Sequence, residues 1–517
     1  MSSADSVAAG ATLSRRSVIG VDGWRGLALA AAVVGIVMRW WLLHTPLGLL
    51  DGDEAIAGLM ARHVFDGDVN AFFWGQQYGG TLEPLLTAPL FAVFGSSPFL
   101  LKLVPIALHA ASAFVIWRIG LRLADRKAAI VAASLWWCWP GAYVWWSTKS
   151  RGFYQATLLL SLLTVLLSLR LAREPSRKID WLLLGGVVGI GWWQSPQIAL
   201  IAAPALAWLL AVLIVRHRGT WIAGLLPAAM GFALGASPWI AFNIRNPWLS
   251  LRSDFAERHG SYLDHLHALA TRGMPMVIGV KQLYTEHWIG SKGFGVLVTV
   301  VVLALAAVGI ALLRPRWDTP GGLLVALVVA FPIVYAAFPN GLNVAEGRYQ
   351  VFAAPMVCLG LGAVVARARF GVTTAPILVA LSIVLALAGL HSSYDLTRPY
   401  VAGGVAVPWH VKPLIDALTD EGNPAVYTDY WVAGPLRFQS RERIEAASVN
   451  FFRDGAMQAR VDSAPAVAWV YVAGANDRPR LDCAASRMGI TLRSRTAGGF
   501  EIVVPSAAIR PGDLTGC

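Results

Sequence analysis

The sequence predicts an all-α polytopic membrane protein that carries a small α/β domain in its last quarter. Three observations lead there. Hydrophobic residues make up 56% of the 517 and charged residues only 14%, with a mean hydropathy of +0.58, whereas a soluble surface needs far more charge. Apolar runs near the ~20 residues that cross a bilayer recur along most of the chain. Past His391 they give way to short apolar runs set among charged stretches.

Read by length, about eleven segments are candidate spans: 25–46, 98–120, 128–147, 152–172, 181–197, 198–215, 220–242, 290–313, 321–338, 349–366 and 372–391. The loops between them alternate in charge. One set holds Arg15, Arg16 and Arg25, then Arg122, Arg126 and Lys127, Arg173, Arg177 and Lys178, Arg216 and Arg218, Arg314 and Arg316, Arg367 and Arg369. Basic loops stay in the cytoplasm, so the N-terminus is expected inside and everything after His391 outside. The net charge of +12 is thus scattered as topology signals, with no basic stripe of the kind that binds nucleic acid.

Segment 1–22 is rich in Ser and Ala, with neither an apolar core nor a cleavage site. It is expected to be a disordered cytoplasmic tail and not a signal peptide. Residues 23–392 then form the membrane domain, with outer loops 47–97 and 243–289, and residues 393–517 the extracytoplasmic domain. No repeat of fixed period is apparent, which weighs against an inverted-repeat transporter.

In the C-terminal part Ala425–Tyr427, Val467–Val472 and Phe500–Val504 have strand-like composition, while Val411–Leu418 and Phe451–Val461 are helix-like. Cys483 and Cys517 lie on the oxidising side, where pairing is open to them. Cys138 and Cys358 fall in spans and read as small core residues.

The first outer loop opens with Asp51, Gly52, Asp53 and Glu54, directly after the apolar run Leu27–Leu43. Acids at a span mouth are costly, about 2.5–3.5 kcal/mol each if drawn to the bilayer centre, so they mark a site by default. The competing reading is a helix N-cap with acids in its first turn, although three acids exceed what a cap needs. Farther on, Gln76, Gln77, Tyr78 and Glu83 offer amides, a phenol and an acid on a glycine-rich stretch. These groups suit sugar hydroxyls, and equally a structural turn. The apolar piece Leu85–Phe94 is short for a crossing and is placed as a helix at the outer interface.

The order of motifs carries a resemblance. Asp53-Glu54 opens the first outer loop, Arg151-Gly152-Phe153-Tyr154 the fourth span and Arg348-Tyr349 the tenth, and Ser237-Pro238-Trp239 followed by Asn243 closes the seventh. In this the chain resembles the membrane glycosyltransferases of the GT-C fold, in the branch of the protein O-mannosyltransferases and aminoarabinose transferases. The segment from Tyr427 to Phe438 is also similar to one that follows the last span in bacterial members.

The resemblance implies a GT-C-like membrane domain and inverting transfer of a sugar from a polyprenyl-phosphate donor to an acceptor hydroxyl on the outer face. A first-loop carboxylate is then the general base. Asp53 is the first choice, Asp51 the competitor, and Glu54 an orienting or substrate-contacting acid. A base must reach the acceptor hydroxyl and the leaving phosphate needs fixed positive charge, which the planar fork of arginine supplies well. Arg348 with Tyr349, and Lys149 and Arg151 with Tyr154, are the candidates. Snorkelling at a span mouth is their alternative reading.

The acceptor is a cell-envelope glycan, a glycolipid or a protein, with the bilayer as the other partner and no nucleic acid. An Ala/Gly/Val/Arg-rich composition suggests a high-GC bacterium, for which mannosyl or arabinosyl donors on decaprenyl phosphate are natural. No cofactor is expected. Asp254, Glu257, His259, His265 and His267 in the loop 243–288 raise a metal reading, but no complete ligand set is evident, and a mobile cover over the active site is the preferred role. Trp145, Trp146, Trp192, Trp193, Trp239 and Trp288 read mainly as an interface belt. The alternative function is a transporter or a lipid-linked-sugar flippase, which needs charge near span midpoints.

Overall fold

The computed structural model describes residues 3–217, 219–251, 259–368, 371–394 and 400–517. Among them, eight helices are long and apolar enough to cross a membrane: Gly23–Leu43, Pro98–Leu123, Tyr154–Leu171, Pro196–His217, Lys292–Leu312, Pro320–Ala337, Gln350–Arg367 and Thr373–Ser393. Ile222–Gly235 and Ser237–Arg245, bent by 63°, make a ninth if counted as one span.

About eleven spans were expected, and the remaining expected segments are shorter or broken helices. The segment expected at 128–147 is two short helices, Arg126–Cys138 and Gly141–Trp146, broken at Trp139-Pro140 because Pro140 has no N–H to continue the ladder. The segment at 181–197 is a 17-residue helix, Lys178–Gln194, stopped before Pro196. Leu82–Phe94 is a 13-residue helix, about 20 Å long at 1.5 Å per residue and so short of a ~30 Å hydrocarbon core. The first helix runs Ser3–Leu43, taking in the stretch expected as a disordered tail.

The chain divides into two compact units. The first comprises Met1–Trp41, Ile106–Ser147 and Tyr154–Asp395. Its central helices Tyr154–Leu171 and Gln350–Arg367 are buried over most of their apolar windows, whereas Lys292–Leu312 is largely exposed. Phe294, Leu297, Val300 and Val301 on that outer helix face outward, as a lipid-facing surface requires once every backbone group is bonded within the helix. Small residues let the helices meet closely: a Cβ on Gly309 would sit 1.9 Å from the Gly360 carbonyl oxygen.

The stretch expected as a mobile cover is built into this unit as Tyr262–Ala268, Leu269–Gly273 and Met274–Ile278. Met276, Val277 and Ile278 are fully buried. Asp254 and Glu257 lie outside the described residues. Trp145, Trp146 and Trp193 are buried, and Trp146 donates to the Glu346 carbonyl, which places these three in the interior and not in a belt.

The second unit joins three pieces of chain, Leu42–Pro105, Thr148–Phe153 and Leu396–Cys517. The first outer loop and the C-terminal part thus form one body, where the sequence reading had them as separate regions. Strands β1 (Phe72–Phe73) and β2 (Gln76–Gly80) pair as a hairpin, as do β3 (Val401–Ala402) and β4 (Val405–Ala406). A five-stranded sheet follows, built from β5 (Ala425–Thr428), β6 (Glu445–Ser448), β7 (Ala468–Val472), β8 (Leu492–Ala497) and β9 (Phe500–Pro505). Its order is β6-β5-β7-β9-β8. β6, β5 and β7 are parallel and β9 and β8 antiparallel.

β5 and β7 are buried at every position, as expected of strands covered on both faces. Val426, Val470 and Ile502 meet helices Lys412–Asp420 and Tyr430–Gln439 on one face. Tyr427, Trp469 and Val503 meet Gly455–Ser463 and Arg478–Met488 on the other. Cys483 and Cys517 are disulfide-bonded.

Candidate active site

Helix Gly52–His63 begins where Asp51 caps it. Asp51 Oδ1 accepts the Glu54 N–H at 3.0 Å and Glu54 Oε2 accepts the Asp51 N–H at 3.3 Å, a reciprocal capping box. Both carboxylates are buried. Asp51 Oδ2 also accepts from Arg151 at 2.9 Å and from the Tyr400 hydroxyl at 2.8 Å. Glu54 accepts from Lys102 at 2.5 Å, Lys149 at 3.1 Å and the Ser150 N–H at 3.1 Å. Burial pushes the Asp51 carboxyl up, but Arg151 and Lys149 outweigh it and hold the group well below the usual carboxylate range.

Asp53 is turned the other way. Its side chain is 21% exposed; Oδ1 accepts the Tyr430 hydroxyl at 2.5 Å and lies 3.5 Å from an Arg453 nitrogen. Arg453 packs over the Phe451 ring at 4.4 Å. With its amide oxygen turned toward them, Gln76 accepts from Arg453 and from the Tyr78 hydroxyl. Tyr78 stands edge-on to Phe153 at 6.0 Å. A close helix contact sets this arrangement: a Cβ on Gly434 would lie 3.1 Å from the Gly52 carbonyl oxygen, and one on Gly58 2.5 Å from the Phe438 ring. The two glycines let helix Tyr430–Gln439 bring Tyr430 onto Asp53.

Of the predicted residues in this unit, the structure brings Asp51, Glu54, Lys149 and Arg151 together as one buried ionic cluster. Asp53, Gln76 and Tyr78 form a second group around Arg453. Gln77 lies on β2, and Glu83 is buried in the first turn of Leu82–Phe94. The expected roles of Lys149 and Arg151 as phosphate contacts and of Glu54 as a substrate contact meet a physical objection, since their charges face one another out of reach of solvent. In the membrane unit Arg348 donates to the Tyr154 hydroxyl at 3.2 Å, lies 3.9 Å from Glu346 and packs over Tyr349 at 5.5 Å. Its Nε is buried with no hydrogen-bond partner.

Sequence reasoning missed Lys102, Tyr400 and Arg453. A lysine in an apolar run was a usable signal for Lys102, and Tyr430 lay inside the tail segment singled out by resemblance. Nothing local marked Arg453. His265 contacts the Ala336 and His259 carbonyl oxygens, a structural role, and among the described residues no group of three or more His, Cys, Asp or Glu is placed to hold a metal ion.

The architecture matches solved proteins. Against the crystal structure of ArnT from Cupriavidus metallidurans bound to undecaprenyl phosphate, the chain superposes with a TM-score of 0.65, covering 93% of this chain and 98% of that one at 12% identity. The chain has the GT-C fold. The apo state of the same ArnT gives a TM-score of 0.62 at 13% identity, over 94% and 99% of the two chains. The GT-C likeness extends to the Archaeoglobus fulgidus oligosaccharyltransferase in complex with zinc and sulfate, with a TM-score of 0.52, 14% identity and coverage of 86% and 67%. Residues 82–241 match the family described as dolichyl-phosphate-mannose-protein mannosyltransferase. No curated protein is similar by sequence at a significant level. The resemblance to the GT-C fold and to that branch is thereby borne out.

Proposed function

We propose that the protein transfers a sugar from a polyprenyl-phosphate donor to an acceptor hydroxyl on the outer side of the membrane, with inversion, and that Asp53 is the general base. The observation that carries the assignment of the base is the contrast in exposure. Asp51 and Glu54 are sealed among three cations, while Asp53 keeps an open face beside a tyrosine and an arginine. In the reaction the acceptor oxygen attacks the anomeric carbon as its proton passes to an Asp53 oxygen. The bond to the phosphate oxygen breaks and polyprenyl phosphate leaves. For the donor phosphate we assign Arg348, whose buried, unpartnered Nε leaves a donor available.

The test is sugar transfer from polyprenyl-phosphate donors by the purified chain. Transfer to a glycan, glycolipid or protein acceptor supports the reading; absence of transfer together with substrate uptake into sealed vesicles would replace it with a transporter. A reporter active only outside the cytoplasm, fused after Val504, should score positive.

A further inference from the structure

The small sheet has a topological switch. β5 leads into helix Tyr430–Gln439 on one face and β7, its parallel neighbour, into helix Arg478–Met488 on the other. Where adjacent parallel strands send their chains to opposite faces, a crevice opens beyond their carboxyl ends, and in open α/β sheets ligands bind there. In this unit that place is a cavity of about 370 Å³. Thr428 at the end of β5 and Asp429 just past it line the cavity, with Asn450 after β6 and Asp477 and Arg480 after β7. Leu514, Thr515 and Gly516 close one side, held to helix Arg478–Met488 by the Cys483–Cys517 disulfide.

Asp429 caps helix Tyr430–Gln439 by accepting the Trp431 N–H at 2.8 Å, but the other polar groups are not all used up by the fold. Asp477 directly precedes helix Arg478–Met488 without capping it, and its Oδ1 is buried with no hydrogen-bond partner, a state that native proteins keep for a reason. Gly403 leaves the space beside that oxygen open, since a Cβ there would sit 2.4 Å from it. Asn450 donates to Asp429 at 2.7 Å, leaving one amide hydrogen over. The cavity therefore offers both acceptors and donors, with two carboxylates against one guanidinium. That balance disfavours a phosphate or another anion. It suits hydroxyl groups, each of which donates one hydrogen bond and accepts others.

We propose that this cavity is a second sugar site, binding an uncharged pyranose unit through Asp477, Asp429, Asn450 and Arg480. Tyr430 and Arg453 do not line it, although Asn450 accepts the Tyr430 N–H at 3.0 Å and Asp429 caps the same helix; its function is to hold a glycan rather than to react with it. A ligand hydroxyl donates to Asp477 Oδ1, and Arg480 donates to a neighbouring oxygen of the same ring.

The experiment is saturation-transfer NMR on the full chain in lipid nanodiscs, which avoids sugar-headed detergents. The probes are neutral methyl pyranosides, with inorganic phosphate and calcium as the charged alternatives. Ring-proton signals are expected for at least one pyranoside with wild-type protein. They should be lost in Asp477→Ala and in Arg480→Ala, the latter a change at an exposed side chain that leaves the melting temperature in place. They should survive in Asp53→Asn, which separates this site from the proposed catalytic one. Signals unchanged in both cavity variants, loss of signal in Asp53→Asn, or binding at the cavity confined to phosphate or calcium would each overturn the proposal.

Discussion

Asp51 and Glu54 face Lys102, Lys149 and Arg151 in a dry interior, while Asp53, on the same helical turn, faces Tyr430 and Arg453 and keeps contact with solvent. Successive positions on a helix point about 100° apart, so one acidic motif serves two purposes. The inward pair anchors the helix to the chain around Ser150. The outward acid is left to act. A run of like residues in sequence is thus a poor guide to shared function when it opens a helix.

The contrast breaks most directly at Asp53. Asp53→Asn keeps the size of the side chain and removes its basicity, and turnover should fall by about 10²–10⁴-fold with donor binding retained. Near-normal transfer by Asp53→Asn beside an inactive but folded Asp51→Asn would move the base inward. The inward side should answer in stability instead. Glu54→Ala leaves Lys102 without its carboxylate and Lys149 with Asp51 alone at 3.6 Å, a loss of the order of 3–5 kcal/mol for a broken buried pair, read as a lower melting temperature and yield.

A smaller effect is expected at Arg348. Arg348→Ala should weaken donor binding more than Arg348→Lys, because lysine keeps the charge and loses the fork; a donor titration that does not move with alanine would take the phosphate contact away from this residue.

The smallest effect concerns the far end of the acidic helix, where His63 meets Glu442 at 2.9 Å, with Arg62, Arg437 and Asp68 nearby. The hydrogen bond to Glu442 raises the His63 pKa above 6.5. For Glu442, burial acts upward, but His63 and Arg62 bring it down from 4.5 to about 2. The histidine's contribution is complete below pH 6.5 and fades as pH rises through its folded-state value; the glutamate's is complete above 4.5 and fades toward 2. Stability should therefore crest in weak acid, and His63→Gln should flatten the alkaline side of a melting-temperature profile and, because His63 also lowers Glu442, reduce the acid side as well.

Much of the fold was legible because apolar runs near span length and short strand-like runs are local signals. Ala425–Tyr427 and Phe500–Val504 fall within β5 and β9, and Val467–Val472 covers β7 with one residue to spare. β6 and β8 were missed: Glu445–Ser448 has weak strand propensity, and Leu492–Ala497 is an edge strand with exposed polar positions. The break at Pro140 was written in the sequence and overridden by apolar length. In the candidate site, Asp53 was visible at its span mouth. Its partner Tyr430 is 377 residues away, a separation across which periodicity carries no information.

That separation also sets a schedule for biogenesis. At about 5–20 residues per second of synthesis, helix Gly52–His63 waits roughly 20–75 s for the helix that covers its glycine face. During that interval Asp51 and Glu54 already have Lys149 and Arg151 within reach, because Thr148–Phe153 emerges early. The ionic partners Lys149 and Arg151 lie 95 and 100 residues from Glu54 and Asp51, so the charges that the inward acids need are synthesised long before the helix that the outward acid needs.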